Sequence, residues 1–184
     1  MRIVSGKYKG RRLTAPKQLP VRPTTDMAKE ALFNILNNQY YFDELSVLDL
    51  FAGTGNISYE FASRGAEDIT AVDNHYGCIK YINSIIQELE LPITTIKSDV
   101  FNYLTNSKRS FDIVFADPPY NLSQEQFEKL IQLVFDNDLV NPIGLCIIEH
   151  SKHTDLSMAQ GFYDQKRYGG NCFSFFRKEK KADL

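Results

Sequence analysis

Two short stretches of this 184-residue chain concentrate groups able to do chemistry. The first is Asp117-Pro118-Pro119-Tyr120, directly after the apolar run Phe111–Ala116. Two successive prolines hold φ near about −65° and remove two amide donors, so nearby carbonyls face something other than a sheet partner. An Asp carboxylate beside a fixed Pro carbonyl makes two acceptors aimed at one small donor. The exocyclic amine of a purine carries two such protons, but its lone pair is delocalised into the ring. Hydrogen bonds to both protons favour a pyramidal nitrogen and localise that lone pair, and positioning against an electrophilic methyl does the rest. Tyr120 offers a face for a base taken out of its stack. Alone, the tetrapeptide is also what a rigid turn looks like.

The second stretch is Asp49-Leu50-Phe51-Ala52-Gly53-Thr54-Gly55. Glycines let backbone approach a ligand without a Cβ clash. The pattern Gly53-x-Gly55-x-x-Ser58 lacks the third glycine of a dinucleotide fingerprint, and no Gly-Lys-Ser/Thr follows as a phosphate loop needs. Asp49 puts a carboxylate beside the loop. That is awkward for a pyrophosphate and suits a cationic ligand such as S-adenosylmethionine. Asp73, 18 residues after Gly55, and Asp99 each close a further strand. The first is placed for both hydroxyls of an adenosine ribose, the second for an adenine amino group. Each alone could be a loop-capping aspartate. Three on consecutive strand ends beside a Gly-x-Gly loop make a site.

The elements that must position these groups alternate. A helix is expected from about Thr25, with Ala28, Ala31, Leu32, Ile35 and Leu36 at helical spacing. Strands follow at Leu45–Phe51, Ile69–Asp73, Ile93–Lys97, Phe111–Ala116 and Ile143–Glu149. Helices are expected at Asn56–Arg64, Gly77–Leu89, Asp99–Thr105 and Ser123–Phe135. Near-continuous apolar strands alternating with helices predict a parallel sheet covered on both faces. Phe162–Tyr168 and Cys172–Arg177, joined through Gly169-Gly170-Asn171, predict a closing antiparallel hairpin. The fold class is therefore α/β and Rossmann-like, a mostly parallel seven-stranded sheet. Residues 1–24 form a basic N-terminal arm, with a small β-hairpin bending at Gly6 and Gly10, and residues 25–184 form one domain.

Charge supports a polyanionic partner. Residues 1–22 hold seven bases and no acid, and the remaining 162 residues hold 14 bases against 23 acids. Lys166, Arg167, Arg177, Lys178, Lys180 and Lys181 form a second basic cluster. Arg2, Lys7, Lys9, Arg11, Arg12 and Arg22 are the expected contacts to that polyanion, which the resemblance given below implies is RNA. No apolar run approaches the roughly 18 residues of a membrane helix. The opening residues carry no signal core. Cys78, Cys146 and Cys172 stand apart, without a Cys-x-x-Cys pair, and His75, His150 and His153 lack company for zinc. The expectation is a reduced, cytosolic, metal-free and monomeric protein.

Asp49–Gly55 and Asp117–Tyr120 resemble the class I S-adenosylmethionine-dependent amino-methyltransferases. Met1-Arg-Ile-Val-Ser-Gly6, Gly10-Arg-Arg-Leu13, Arg22-Pro-Thr24, Ala31-Leu-Phe-Asn-Ile-Leu36 and Ser63-Arg-Gly-Ala66 resemble the RsmD family over nearly the whole chain. The resemblance implies transfer of a methyl group to the N2 amine of one guanine in 16S ribosomal RNA, within the small subunit or its assembly intermediate. It implies that Asp117, Pro118 and Tyr120, with Pro119, hold the amine. Asp49, Phe51, Gly53, Gly55, Asp73, Asn74, Asp99 and Val100 would surround the cofactor, with Arg22-Pro23-Thr24 closing the site. His75, Tyr76, Phe101 and Asn102 would line the adenosine pocket. Three residues depart from the family pattern: Asp73 for the usual Glu, Asn56 for a small apolar residue, and Lys29 for Arg, which would lose any bidentate phosphate contact.

Three rivals remain. A DNA adenine-N6 methyltransferase uses the same tetrapeptide but usually carries a target-recognition region. A protein-glutamine methyltransferase uses Asn in place of Asp117. A non-catalytic RNA-binding assembly factor could keep the fold without the chemistry. Glu149 and His150 end a strand and are expected as satisfied strand termini.

Overall fold

The computed structural model describes residues 1–21 and 24–178. Helix α1 spans Asp26–Asn37, and the Thr25 hydroxyl accepts from the Ala28 amide to cap it. Strand β1 (Ser46–Leu50) leads into α2 (Asn56–Ser63), β2 (Asp68–Asp73), α3 (Tyr76–Leu89) and β3 (Ile93–Lys97). After α4 (Val100–Asn106) come β4 (Phe111–Ala116), α5 (Gln124–Asp136), β5 (Val140–Ser151), β6 (Phe162–Tyr168) and β7 (Asn171–Phe176). Ser123 and Gln126 cap α5 reciprocally, each side chain taking the other's backbone amide. The strands form one seven-stranded sheet in the order β3-β2-β1-β4-β5-β7-β6. β1, β2 and β3 run parallel, as do β4 and β5, whereas β7 is antiparallel to both β5 and β6. This is the α/β Rossmann-like class that the alternation predicts.

The chain divides into two compact units, Met1–Val100 and Phe101–Leu184. In the first, α1 buries Leu32, Phe33 and Leu36, and α2 buries Phe61. Phe33 meets Phe61 edge-on, with ring centroids 4.7 Å apart, an arrangement that aromatic quadrupoles favour. In the second, β4 and β7 contribute Phe115 and Phe173, and α5 contributes Phe127, Leu130, Ile131 and Val134 to the core.

One expectation at the N-terminus holds, and one at β5 is corrected for a physical reason. The N-terminal arm is the small β-hairpin that the sequence predicts: Arg2 and Arg12 form an antiparallel bridge, the Ile3 amide donates to the Arg11 carbonyl at 2.9 Å and the Leu13 amide to the Met1 carbonyl at 3.0 Å, and residues 5–10 make the bend. The hairpin is also anchored to the body of the chain. Ile3 and Leu13 are buried, and the carboxylate of Glu60 on α2 accepts from the amides of Val4 and Ser5 at 2.9 and 3.0 Å. Two amides at the start of the bend are thus satisfied by a side chain. Strand β5, in contrast, begins earlier than its apolar pattern suggests, at Val140. It passes through Pro142, and the register with β4 shifts between Phe111 and Ile113. A proline is tolerated at such an irregularity because the ladder amide it lacks is not needed there.

Candidate active site

In the first unit, Asp49 and Asp73 lie on one face of the sheet. Asp49 pairs in register with Ala71, two residues before Asp73, and strand side chains repeat with a period of two. Asp49 is 2% exposed, and its Oδ2 accepts from the Ser58 hydroxyl at 2.6 Å. Burial pushes its carboxyl up to about 7, the Ser58 hydrogen bonds oppose that rise, and the nearby Asp73 adds to it. Asp73 holds the loop together: Oδ2 accepts from the Gly53 amide and Oδ1 from the His75 amide, both at 2.8 Å. Each oxygen keeps a second lone pair for a further donor.

Between these acids the chain turns through left-handed conformations at Phe51 (φ +57°), Gly53 (+57°) and Gly55 (+83°). Glycine adopts these freely. For a bulky residue such as Phe51 the conformation is strained, and strain of this kind persists where function requires it. A Cβ on Gly53 would lie 3.3 Å from Val21, so the segment before Thr24 passes against the loop. Thr24 is buried, and its carbonyl accepts from Asn56 Nδ2. Asn74 and Asp99 are exposed, and Val100 is buried at the start of α4. Arg22 and Pro23 lie outside the described residues. The donor set fits S-adenosylmethionine: a buried carboxylate with an acid neighbour calls for a cation, and acceptors at successive strand ends match ribose and amine donors.

In the second unit, Asp117-Pro118-Pro119-Tyr120 follows β4 directly. The Pro119 carbonyl accepts from the Leu122 amide at 3.0 Å, closing a turn. Of the two proline carbonyls, that engagement makes Pro118 the candidate partner for Asp117. Pro118 is buried, whereas Tyr120 is 60% exposed, so its ring is accessible for stacking. Asp117, Pro118, Tyr120, Glu149, His150 and Asn171 line one cleft.

The family model described as conserved hypothetical protein 95 matches residues 1–177. The chain is 30% identical over 161 residues to ribosomal RNA small subunit methyltransferase D of Haemophilus influenzae, covering 85% of this chain and 81% of that one. The Escherichia coli K12 protein of the same name is 26% identical over 194 residues, covering 100% and 92%. The chain belongs to the RsmD family. The solved structure of yhhF from Escherichia coli superposes with a TM-score of 0.85 at 26% identity, over 98% of this chain and 99% of that one. The 16S rRNA N2 methyltransferase RsmC of Thermus thermophilus, solved with AdoMet and guanosine, shares the fold at a TM-score of 0.71 and 19% identity. That match covers 88% of this chain and 45% of RsmC.

Two of the residues expected to depart from the family pattern, Lys29 and Asn56, touch each other. Lys29 Nζ donates to Asn56 Oδ1 at 2.8 Å and to the Arg2 carbonyl at 2.5 Å, and lies 3.3 Å from Glu60 Oε2. Lys29 is fully buried, so it joins α1, α2 and the arm and does not face a phosphate. Burial lowers its pKa, with Glu60 opposing the fall. Among the arm cations, Arg2 pairs with Asp26 at 3.1 Å, Arg11 pairs with Glu88, and Lys7 sits over the Tyr8 ring. Lys9 and Arg12 are exposed, and Arg2 and Arg12 line an open groove with Thr14. Of the C-terminal bases, Lys166 pairs with Asp164 and Lys178 with Asp138, and Lys180 and Lys181 lie outside the described residues.

His150 is the satisfied strand end that sequence suggests. Its Nδ1 lies 2.9 Å from the Ser151 carbonyl and Nε2 lies 2.7 Å from the Ser174 hydroxyl, with the pKa lowered by burial. Asn171 had no signal in the sequence beyond its place in a turn. It enters the cleft because β7 returns beside β5, a pairing between residues 22 apart.

Proposed function

We propose that this chain transfers a methyl group from S-adenosylmethionine to the N2 amine of a guanine in 16S ribosomal RNA of the small subunit. The observation that carries the reading is the Asp117–Tyr120 turn at the end of β4, in a chain whose RsmD relatives are named as small-subunit rRNA methyltransferases. S-adenosylmethionine supplies an electrophilic methyl on a positively charged sulfur. Asp49, Asp73 and Asp99 attract and orient that cation, and the Gly53–Gly55 backbone allows its close approach. Asp117 and the Pro118 carbonyl each take one proton of the guanine amine and localise its lone pair. Tyr120 holds the flipped base by stacking.

The nitrogen lone pair then forms the new N–C bond while the C–S pair leaves with sulfur. The alkylated nitrogen is strongly acidic and gives up its proton to Asp117 or to water. The arm tracks phosphates through Lys9, Arg11 and Arg12, and the reaction takes place in the cytoplasm.

The test is methyl transfer from labelled S-adenosylmethionine to unmethylated small subunits, free 16S RNA and duplex DNA, with the product nucleoside identified. N2-methylguanosine on the ribosomal substrates alone is expected. N6-methyladenine in DNA would overturn the substrate, and cofactor binding with no transfer would leave a binding protein. In the same assay Asp117→Ala should lose at least 100-fold in kcat while cofactor affinity is unchanged, the scale of removing one preorganised partner of the reacting group (about 10²–10³). Transfer near the wild-type rate would remove Asp117 from the amine.

A further inference from the structure

The last register pair between β4 and β5 is Ala116 with Ile148, and the strands are parallel. One residue further along stand Asp117, just past the end of β4, and Glu149, still within β5, and both line one cleft. On the other side of β5, Asn171 pairs in register with Ser151, diagonal to Glu149, and Asn171 Nδ2 donates to Glu149 Oε1 at 2.9 Å. Glu149 is 4% exposed and lines the same cleft as Asp117 and Tyr120. Three adjacent strands therefore bring two carboxylates to the place where the base must lie, and one of them is clamped by an amide from the hairpin.

We propose that Glu149 selects guanine, its carboxylate accepting from the ring N1–H next to the N2 amine that Asp117 holds. The inference rests on the methyl-transfer reading above. Guanine presents adjacent donors on this edge, N1–H and the amine. Adenine and cytosine present an amine beside an unprotonated ring nitrogen, an acceptor, which would face a carboxylate lone pair against lone pair. A buried acceptor left without its donor is costly, and sites built to receive an N–H reject analogues that lack it. The Asn171 clamp fixes the Glu149 rotamer, so the carboxylate is in place before the base arrives. The same geometry opposes an adenine-N6 activity, which uses the same tetrapeptide.

The first measurement uses the unaltered protein on small subunits whose target guanine is replaced by 2-aminopurine, which keeps the N2 amine and lacks N1–H. Transfer should fall about 10- to 100-fold, the size of one good base-edge contact. Glu149→Gln keeps an acceptor for Asn171 and places an amide in the cleft. It should lose kcat/KM on guanine by a similar factor with unchanged cofactor affinity, and lose nothing further on 2-aminopurine. That non-additivity is what a merely structural role would not produce. Equal transfer to guanine and 2-aminopurine by the wild type overturns the proposal, whether or not the variant folds. So does a Glu149→Gln loss that is the same on both bases. If the wild type makes no N2-methylguanosine at all, the underlying reading has failed, which is a different result from wild-type transfer that ignores N1–H.

Discussion

Asp49 shows how one buried side chain can link stability to pH. Its carboxyl titrates near 7 in the folded chain, against 3.8 as its ordinary value. Below about pH 4 both folded and unfolded chains carry the proton. As pH rises from there the unfolded chain gives it up and the folded chain retains it, so stability falls until ionisation in the fold is complete above 7. The full cost is on the order of 4 kcal/mol. Asp49→Asn keeps an acceptor for Ser58 and has no proton to lose. The variant should therefore gain thermal stability over the wild type progressively between about pH 4 and 7, with a plateau above. Melting curves that differ by the same amount at every pH would place the titration on another group. The variant should also bind S-adenosylmethionine more weakly at pH 8, measured by calorimetry, because the charge that attracts the cation is gone.

At the scale of elements, the arm is held by a polar network inside the molecule. Glu60 receives the amides of Val4 and Ser5, Arg64 Nε at 2.9 Å and the Lys29 ammonium, and Lys29 and Glu60 side chains are both fully buried. Ser63 adds to it, its hydroxyl donating to the Ser5 carbonyl at 2.6 Å and accepting from the Tyr8 amide. Gly6 must be glycine here, because φ is +84° and a Cβ would collide with the Ser63 carbonyl. Breaking one side of a buried pair leaves the other charge uncompensated, at about 3–5 kcal/mol. Glu60→Gln should lower unfolding stability by that amount in urea titrations and expose the arm to protease before the rest of the chain. A change under about 1 kcal/mol would mean that water or a neighbour replaces the lost charge. The helical period made α1 and α2 legible, but a Lys and a Glu on those helices look like solvent-facing residues. Only the docking of the arm over them makes them core.

For the whole molecule, the sign of the interaction with RNA depends on charge segregation, and its strength depends on which bases are already paired. Arg11 shares its charge with Glu88 and Arg2 with Asp26, so a phosphate must displace those acids. Surface pairs of this kind are worth about 0–1 kcal/mol, so the exchange is cheap. Replacing Arg11 and Arg12 with Ala should flatten the log–log salt dependence of RNA binding by about 1–2, the slope of two phosphate contacts. Melting temperature and cofactor affinity should stay unchanged. An unaltered slope would take the arm out of the interface.

The sequence by itself determined the alternation of elements, because apolar periodicity reports which faces are buried. It also determined the two chemical stretches, because proline and glycine act on their own backbone and Asp117 is adjacent to its turn. Glu149 could be named only as a strand end. Its place beside Asp117 and under Asn171 comes from the pairing of β4, β5 and β7, whose partners are about 20 to 30 residues apart in the chain and carry no local signal. The same holds for Lys29, Asn56 and Glu60. Local residues specify conformation where the constraint is covalent or periodic. Tertiary structure decides where a buried polar group needs a partner, because that partner can come from anywhere in the chain.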